Sequence, residues 1–455
     1  MSANQLVLPV ETSTIYDNPI TGYLNQPLIT QNLGALSPFF SLATNGSDDT
    51  PPGCSITFAQ ILSRHGARFP TSGDAVRIQT ALAKVQVALQ NSSLSLPSNY
   101  TFLTNFTYTL GEDNLTHFGQ QELVNSGLKF FDRYGALGNA SAPFVRASGS
   151  ARVIESAQNF TQGFNAAASN RSATTKLVPA NSILVIPEAD TSNNTLKVET
   201  CNAFENDTPF DTIGDDQDQI WTNIFAAPIT ARLNADLPGA NLNVNNTVAI
   251  MDICPFETVA TPNGAISPFC SLFTDDEWVS YEFLQDLDKY FGDGPGNGLG
   301  PTQGVGWVNE LLARLTSTVV VDHTSTNTTL DSLNSTFPLG LPLYADFSHD
   351  TQLTSIFSAL GLFNSTVAKG GLIATDRNSS KTSGYTSVQT VPFSARVYVE
   401  KMLCNGTQEE MIRILVNDAV QPLEFCGGDE YGRCTLSNFV ESQEYAKSGG
   451  EWAQC

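Results

Sequence analysis

Three segments of this chain follow one local order: an apolar run, a short polar or glycine-containing loop, and then apolar residues at helical spacing. The apolar runs lie at 56–62, 143–145 and 341–347. Each run predicts a buried strand, and the spacing after each loop predicts an amphipathic helix. Repeated strand, loop and helix predict an α/β fold in which the strands end at a common edge of one sheet.

The residues that could do chemistry follow these three strands. The string RHGARFP at 64–70 follows the first strand, Arg146 ends the second, and His349-Asp350 follows the third. Ligands bind at the carboxyl ends of strands in an open α/β sheet, where helix N-termini present N–H groups to an anion. We therefore expect the three segments to meet in one anion-binding pocket.

Two arginines around a histidine are typical of a site that binds a phosphate and attacks it. The guanidinium groups of Arg64 and Arg68 have forked donors that match phosphate oxygens. For attack, one ring nitrogen of His65 must be unprotonated even in acid, and neighbouring cations lower an imidazole pKa as required. We expect the other ring nitrogen to donate to a backbone carbonyl, that of Gly66.

Further stretches make the chain resemble the histidine acid phosphatases and, within them, the fungal phytases, basidiomycete-type phytases above all. They are PFVRASG at 143–149, GPTQGVG at 300–306, YADFSHD at 344–350 and NDAVQPL at 417–423. The resemblance extends from about residue 50 to the last cysteine. It implies a phosphoglycerate-mutase-like α/β sandwich with a central mixed sheet and a smaller, mainly α-helical inserted domain.

The resemblance also implies roles for the site residues. His65 would form a phosphohistidine, and Asp350, partly protonated in acid, would protonate the leaving oxygen. The substrate phosphate would be bound by Arg64, Arg68, Arg146 and His349. A structural ion pair is the alternative role for Arg146, and Arg152 is interpreted as structural or as a support for the site.

The implied substrate is phytate, whose six phosphates favour cations around the pocket rim. Where the best-known ascomycete phytases carry a lysine after the motif this chain has Asp74, and where they carry a lysine pair it has Asp288-Lys289. The candidate rim residues are Thr71, Arg77, Lys84 and Lys289. The alternatives are a broad-specificity acid phosphatase of the same family and, less favoured because the motifs are intact, an inert phosphate-binding glycoprotein.

The composition limits partners and working conditions. Acidic residues outnumber basic ones 45 to 22, and the resulting charge of −23 argues against binding to nucleic acid or to an anionic membrane. A polyanionic substrate would be repelled least in acid, where carboxylates are protonated. No zinc-type spacing of cysteine and histidine is present, so neither a metal nor a cofactor is expected.

The eight cysteines and sixteen Asn-x-Ser/Thr sequons, from Asn45 to Asn405, favour a secreted, N-glycosylated protein, here expected to be a monomer. About seven sequons would arise by chance. Eight cysteines allow 105 pairings. The resemblance implies four of them: Cys54–Cys404, Cys201–Cys455, Cys254–Cys270 and Cys426–Cys434.

A chain of 455 residues exceeds the size that one core usually serves, which favours two lobes. Residues 1–50 are interpreted as an extended N-terminal arm. Residues 51–190 and 336–455 would form a discontinuous α/β catalytic domain. Residues 191–335 would form the mainly α-helical insertion, with helices predicted at 215–234, 274–291 and 304–315. Helices between 75 and 135 could pack against this insertion.

Overall fold

The computed structural model describes residues 17–43, 48–90, 95–172, 174–189, 191–198, 200–363, 367–407 and 409–455. Parts of the predicted N-terminal arm and the sequons at Asn45, Asn91 and Asn364 therefore lie outside the described residues. The strands are β1 Cys54–Arg64, β2 Phe144–Ser148, β3 Leu184–Ile186, β4 Leu343–Ser348, β5 Arg396–Cys404, β6 Met411–Val416, β7 Ala419–Val420 and β8 Arg433–Thr435.

These strands form one mixed sheet in the order β3-β2-β4-β1-β5-β6-β7, with β8 paired to β6. The neighbours among β3, β2, β4 and β1 are parallel. From β5 onward each strand runs antiparallel to its neighbour. The predicted α/β class with a mixed central sheet is confirmed, and the parallel half brings four strand ends to one edge.

The helices surround this sheet. In chain order they are α1 Pro27–Thr30, α2 Ser72–Leu89, α3 His117–Tyr134, α4 Ala151–Arg171, α5 Asn202–Asn206, α6 Ile213–Asp236, α7 Val244–Ala260, α8 Asp275–Leu287, α9 Gly300–Gln303, α10 Val305–Thr316, α11 Thr328–Asp331 and α12 Asp350–Leu360. A π-helical segment, Asp288–Asp293, continues α8. Further short helices are Asn378–Ser383, Ser387–Thr390, Leu436–Ser442 and Glu444–Lys447.

The alternation of side chains along the strands explains the layers. In β1, Ala59 and Ile61 face a core shared with α3 and α4, while Phe58 and Leu62 face a second core shared with α10 and α12. Because both faces are covered by helices, the central strands are apolar on both sides. The result is an α/β/α sandwich.

A third core joins α2 with α6, α7 and α8, around residues such as Trp221, Met251 and Trp278. Helix α7 was not predicted, because nearly all of its residues from Thr247 to Phe256 are buried and the helical period is therefore hidden. The division of the chain at 190 and 335 stays a prediction. Helix α10, inside the predicted insertion, packs on the sheet.

Four disulfides close the fold, and their pairing is the one that the resemblance implies. Cys54–Cys404 joins residues 350 positions apart at the end of the β1–β5 pair. Cys201–Cys455 links the residue before α5 to the last residue of the chain. Cys426–Cys434 closes a short loop with a separation of 8.

Replacing Cys54 and Cys404 together by alanine is expected to lower the free energy of unfolding by about 2–5 kcal/mol. The bridge restricts a long stretch of the unfolded chain, while the strand pair already holds its two ends together in the folded state. Equilibrium urea unfolding measures the loss. The matched control is the Cys426→Ala/Cys434→Ala variant, which should lose less stability because its bridge closes a much shorter loop. An equal loss of stability in both variants would contradict this dependence on loop length.

Candidate active site

The register of the parallel strands places the candidate catalytic residues together. Arg64, the last residue of β1, pairs with Ser348, the last residue of β4. The next residues, His65 and His349, therefore leave the sheet side by side, and their ring centroids lie 5.7 Å apart. Asp350 begins α12 at the same edge.

The imidazole of His65 is oriented for attack. Its Nδ1 lies 2.8 Å from the carbonyl oxygen of Gly66, which can only accept, so Nδ1 carries the proton and Nε2 keeps its lone pair. Burial first, and then the charges of Arg64, Arg152, His349 and Arg68, hold the pKa of His65 well below its usual range. The ring is therefore neutral in acid, as a nucleophile requires.

Three arginines crowd around this imidazole: Arg64, Arg68 and Arg152. Burial, opposed by Asp350 and reinforced by Arg68 and Arg152, lowers the pKa of Arg64 to about 10. Each of the three has a buried Nε–H without a hydrogen-bond partner among the described residues. Buried donors are normally satisfied, so three such groups around one imidazole indicate a site for an anion.

His349 lies beside these arginines. Its Nε2 lies 2.9 Å from Oε1 of Glu188, and its Nδ1 lies 3.5 Å from Nη2 of Arg152. Burial of Glu188 would raise its pKa, but hydrogen bonds and charge from His349, with help from Ser148 and Ser150, lower it to about 2. The ionised Glu188 accepts a hydrogen bond from Nε2 and so orients the ring of His349.

Asp350 lies between two cations. Its Oδ1 is 3.4 Å from Nη2 of Arg64, and its Oδ2 is 3.1 Å from Nζ of Lys289. Burial alone would raise the pKa of Asp350, but the charges of Arg64 and Lys289, with a smaller effect from Arg68, hold it well below its ordinary value. Without substrate the carboxyl is therefore ionised.

The predicted phosphate contact of Arg146 is wrong. Arg146 lies within β2, two residues before the strand ends, and pairs in register with Asp346. Its Nε and Nη2 donate to Asp346, and Nη2 also donates to Glu310, all in the interior. The alternative role, a structural ion pair, is the one that the structure supports.

Arg152 and Glu188 both contact His349. Arg152 was expected only to be structural or to support the site, and Glu188 was not predicted at all. Arg152 lies in the first turn of α4 after β2, and Glu188 follows the end of β3. A signal for both was present: each comes after a parallel strand, as His65 does after β1 and His349 after β4. Arg146, by contrast, is inside its strand.

A cavity of about 340 Å³ opens beside this cluster. Its lining residues are Ala35, Leu36, Arg64, Arg68, Asp74, Arg77, Asp215, Asp218, Val248, Asp252, Phe256, Leu284, Gln285, Asp288, Lys289 and Asp350. Beyond the cations the wall is rich in aspartates. Burial and the neighbouring Asp288 raise the pKa of Asp218 well above its ordinary value, and burial raises that of Asp252 to about 6.

Two of the four predicted rim residues, Arg77 and Lys289, line the cavity. The other two do not, which corrects the prediction for them. Thr71 is the N-cap of α2 and exchanges hydrogen bonds with Asp74. The Nζ of Lys84 donates to the carbonyl of Asn241 and to the side chain of Asn246, because the helical period turns it toward α7.

Within the described residues, no group of three or more His, Cys, Asp or Glu side chains could hold a metal ion. The described helices include none long and apolar enough to cross a bilayer. The arrangement of the site supplies instead a neutral imidazole, several fixed cations and a carboxyl group. These groups could bind a phosphoryl group, attack it and exchange a proton with its leaving oxygen.

The sequence profile of the histidine phosphatase superfamily (branch 2) matches residues 55–417. The chain belongs to this superfamily. Phytase A of Aspergillus oryzae is 47% identical over 427 residues, which are 93% of this chain and 90% of that protein. Phytase A of Arthroderma benhamiae is 43% identical over 461 residues, covering 100% of this chain and 98% of the relative.

Solved structures of other histidine phosphatases have the same fold. The phytase from D. castellii has a TM-score of 0.73 at 21% identity, covering 93% of this chain and 86% of that one. The multiple inositol polyphosphate phosphatase of Bifidobacterium longum, solved with inositol hexasulfate, has a TM-score of 0.62 at 16% identity, covering 92% and 98%. At these identities the likeness concerns the fold alone.

Proposed function

We propose that this histidine phosphatase hydrolyses phytate to lower inositol phosphates and orthophosphate, with His65 as the nucleophile and Asp350 as the proton donor. The observation that carries the reaction class is the cluster of buried guanidinium Nε–H groups around a neutral imidazole, which have no hydrogen-bond partner in the part of the chain that the structure describes. The substrate rests on the fungal relatives named phytase A, which match nearly the whole chain.

In the first half of the reaction, Arg64, Arg68, Arg152 and His349 bind the scissile phosphate. Nε2 of His65 attacks phosphorus as the bond to the inositol oxygen breaks. The electron pair of that bond goes to the leaving oxygen, which takes a proton from the Asp350 carboxyl group. The arginines stabilise the charge on the equatorial oxygens.

In the second half, a water molecule attacks the phosphohistidine. Asp350, now ionised, accepts a proton from this water, and the bond between phosphorus and Nε2 breaks. The electron pair returns to the imidazole, whose Nδ1–H stays bound to the carbonyl of Gly66. Orthophosphate then leaves the cluster of cations.

We also place the protein outside the cell, as an N-glycosylated monomer. Four disulfides support an oxidising compartment. Sequon asparagines such as Asn139, Asn170 and Asn206 are exposed, so a glycan could be attached there. Sedimentation and glycosidase treatment of the protein from culture medium test these points.

Incubation of the protein with phytate at acid pH is expected to produce a stepwise series of lower inositol phosphates. Because one extra charge-assisted contact contributes about 1.5 kcal/mol, kcat/KM for phytate should exceed that for p-nitrophenyl phosphate by about tenfold. Anion-exchange chromatography of the products and initial rates measure both. A strong preference for the aryl ester would support the broad-specificity alternative instead.

A further inference from the structure

The general acid of the proposed reaction carries no proton in the free enzyme. Asp350 contacts both Arg64 and Lys289, and its pKa is held well below the ordinary value although burial opposes this. A bound scissile phosphate compensates the charge of the arginines for every monoester. Lys289 would continue to keep Asp350 ionised unless a second anion compensates the charge of the lysine.

The position of Lys289 makes it available to such an anion. Its Nζ lies 3.1 Å from Asp288 Oδ2, 3.1 Å from Asp350 Oδ2 and 3.8 Å from Asp293 Oδ2. It lies in the wall of the cavity, at the second position of the π-helical segment. The three carboxylates hold the pKa of Lys289 well above its usual range despite burial, so the group is a cation at every working pH.

We propose that Lys289 is a positioning residue that couples proton delivery by Asp350 to a second phosphate on the substrate. An anion beside the scissile phosphate takes the ammonium group away from Asp350. The freed carboxylate takes up a proton from solvent and gives it to the leaving oxygen as the P–O bond breaks. This inference rests on the proposed function and adds a substrate preference that arises from catalysis as well as binding.

Other charges around the pair favour this exchange in acid. The groups that face Lys289 or Asp350 are Asp288 and Asp293 on the π-helical segment, Asp218 of α6, Tyr385, Arg64 at the end of β1, and His65 and Arg68 after that strand. Burial raises the pKa of Asp293 to about 7, with Asp288, Asp350 and Glu205 adding to the effect and Lys289 opposing it. In acid, protonated carboxyl groups at 218 and 293 hold the ammonium less strongly, so an anion can capture it.

The wild-type enzyme tests the coupling without any substitution. The two substrates are myo-inositol monophosphate and a myo-inositol bisphosphate with adjacent phosphates, which share the same type of leaving alcohol. The basic limb of the pH profile of kcat reports the pKa of the general acid in the enzyme–substrate complex. We expect this limb to lie about one pH unit higher for the bisphosphate, since removing a contacting cation raises a carboxyl pKa by about that amount.

The Lys289→Met substitution should shift the basic limb for the monophosphate to the higher pH at which the bisphosphate limb lies. The difference in pH between the two substrates should then disappear. Lys289→Arg keeps the charge and should retain the difference. Lys176→Met is the matched control, because it removes an exposed lysine outside the cavity and should leave both profiles unchanged. Thermal unfolding and inhibition by inorganic phosphate check that each variant is folded with an intact phosphate site.

Coincident limbs for the two substrates in the wild-type enzyme would overturn the coupling, and so would a difference that persists in a folded Lys289→Met variant. In both cases turnover of the inositol esters leaves the proposed phosphomonoesterase function standing. Absence of phytate turnover by the wild-type enzyme would overturn the proposed function as well.

Discussion

Replacing His65 by alanine is expected to lower kcat for phytate by about 10⁵-fold, the size of loss seen when a nucleophile of a covalent mechanism is removed. Binding of phosphate should survive, because the guanidinium groups of Arg64 and Arg68 are anchored independently of the imidazole. Arg64 donates to the carbonyls of Ala35 and Val391, and Arg68 donates to the carbonyl of Phe69. Initial rates of phosphate release measure the loss.

The matched control is His117→Ala, since His117 is exposed at the start of α3 and contacts Gln120 rather than the cavity. It should keep full activity. A rapid quench of the wild-type enzyme into alkali should trap labelled phosphate on His65, because a phosphoramidate survives base. Undiminished turnover by a folded His65→Ala variant, or label on another residue, would contradict the proposed nucleophile.

The grouping of site residues at one edge of the sheet could be predicted because it depends on local patterns. Apolar runs followed by loops predict strands, and parallel neighbours bring successive strand ends together. His65, His349 and Asp350 follow their strands directly, so their meeting place required no knowledge of distant contacts. The helices after these strands were predicted in the same way, whereas the mixed sheet was implied by the resemblance.

The errors have a common physical cause: sequence patterns do not report which buried partner a side chain finds. Arg146 was assigned to phosphate because it ends an apolar run, yet Asp346, in register on β4, compensates its charge inside the sheet. Lys84 was assigned to the rim, although its polar partners are Asn241, in the loop before α7, and Asn246, in the first turn of that helix. The strand before Glu188 was missed because β3 has only three residues.

Arg146 within β2 and Arg152 just after that strand can be assigned to different roles by experiment. Arg152→Met should lower kcat/KM by about 10²–10³-fold with little effect on stability, because it removes one donor from a preorganised anion site. Arg146→Met should instead lower the free energy of unfolding by about 3 kcal/mol, since it removes one partner of a buried ion pair. Rates of phosphate release and equilibrium urea unfolding, both measured on each variant, compare the two losses.

The contrast arises from what remains when each guanidinium group is lost. Without Arg146, Glu310 loses its ion pair with that residue. Among the described residues, Asp346 then keeps Arg314, Gln60 and Trp307 as side-chain partners. Without Arg152, His349 keeps its hydrogen bond to Glu188, and no buried ion pair between described residues is lost. Wild-type kinetics in Arg152→Met together with a large catalytic loss in a stably folded Arg146→Met would reverse this assignment and return Arg146 to the phosphate site.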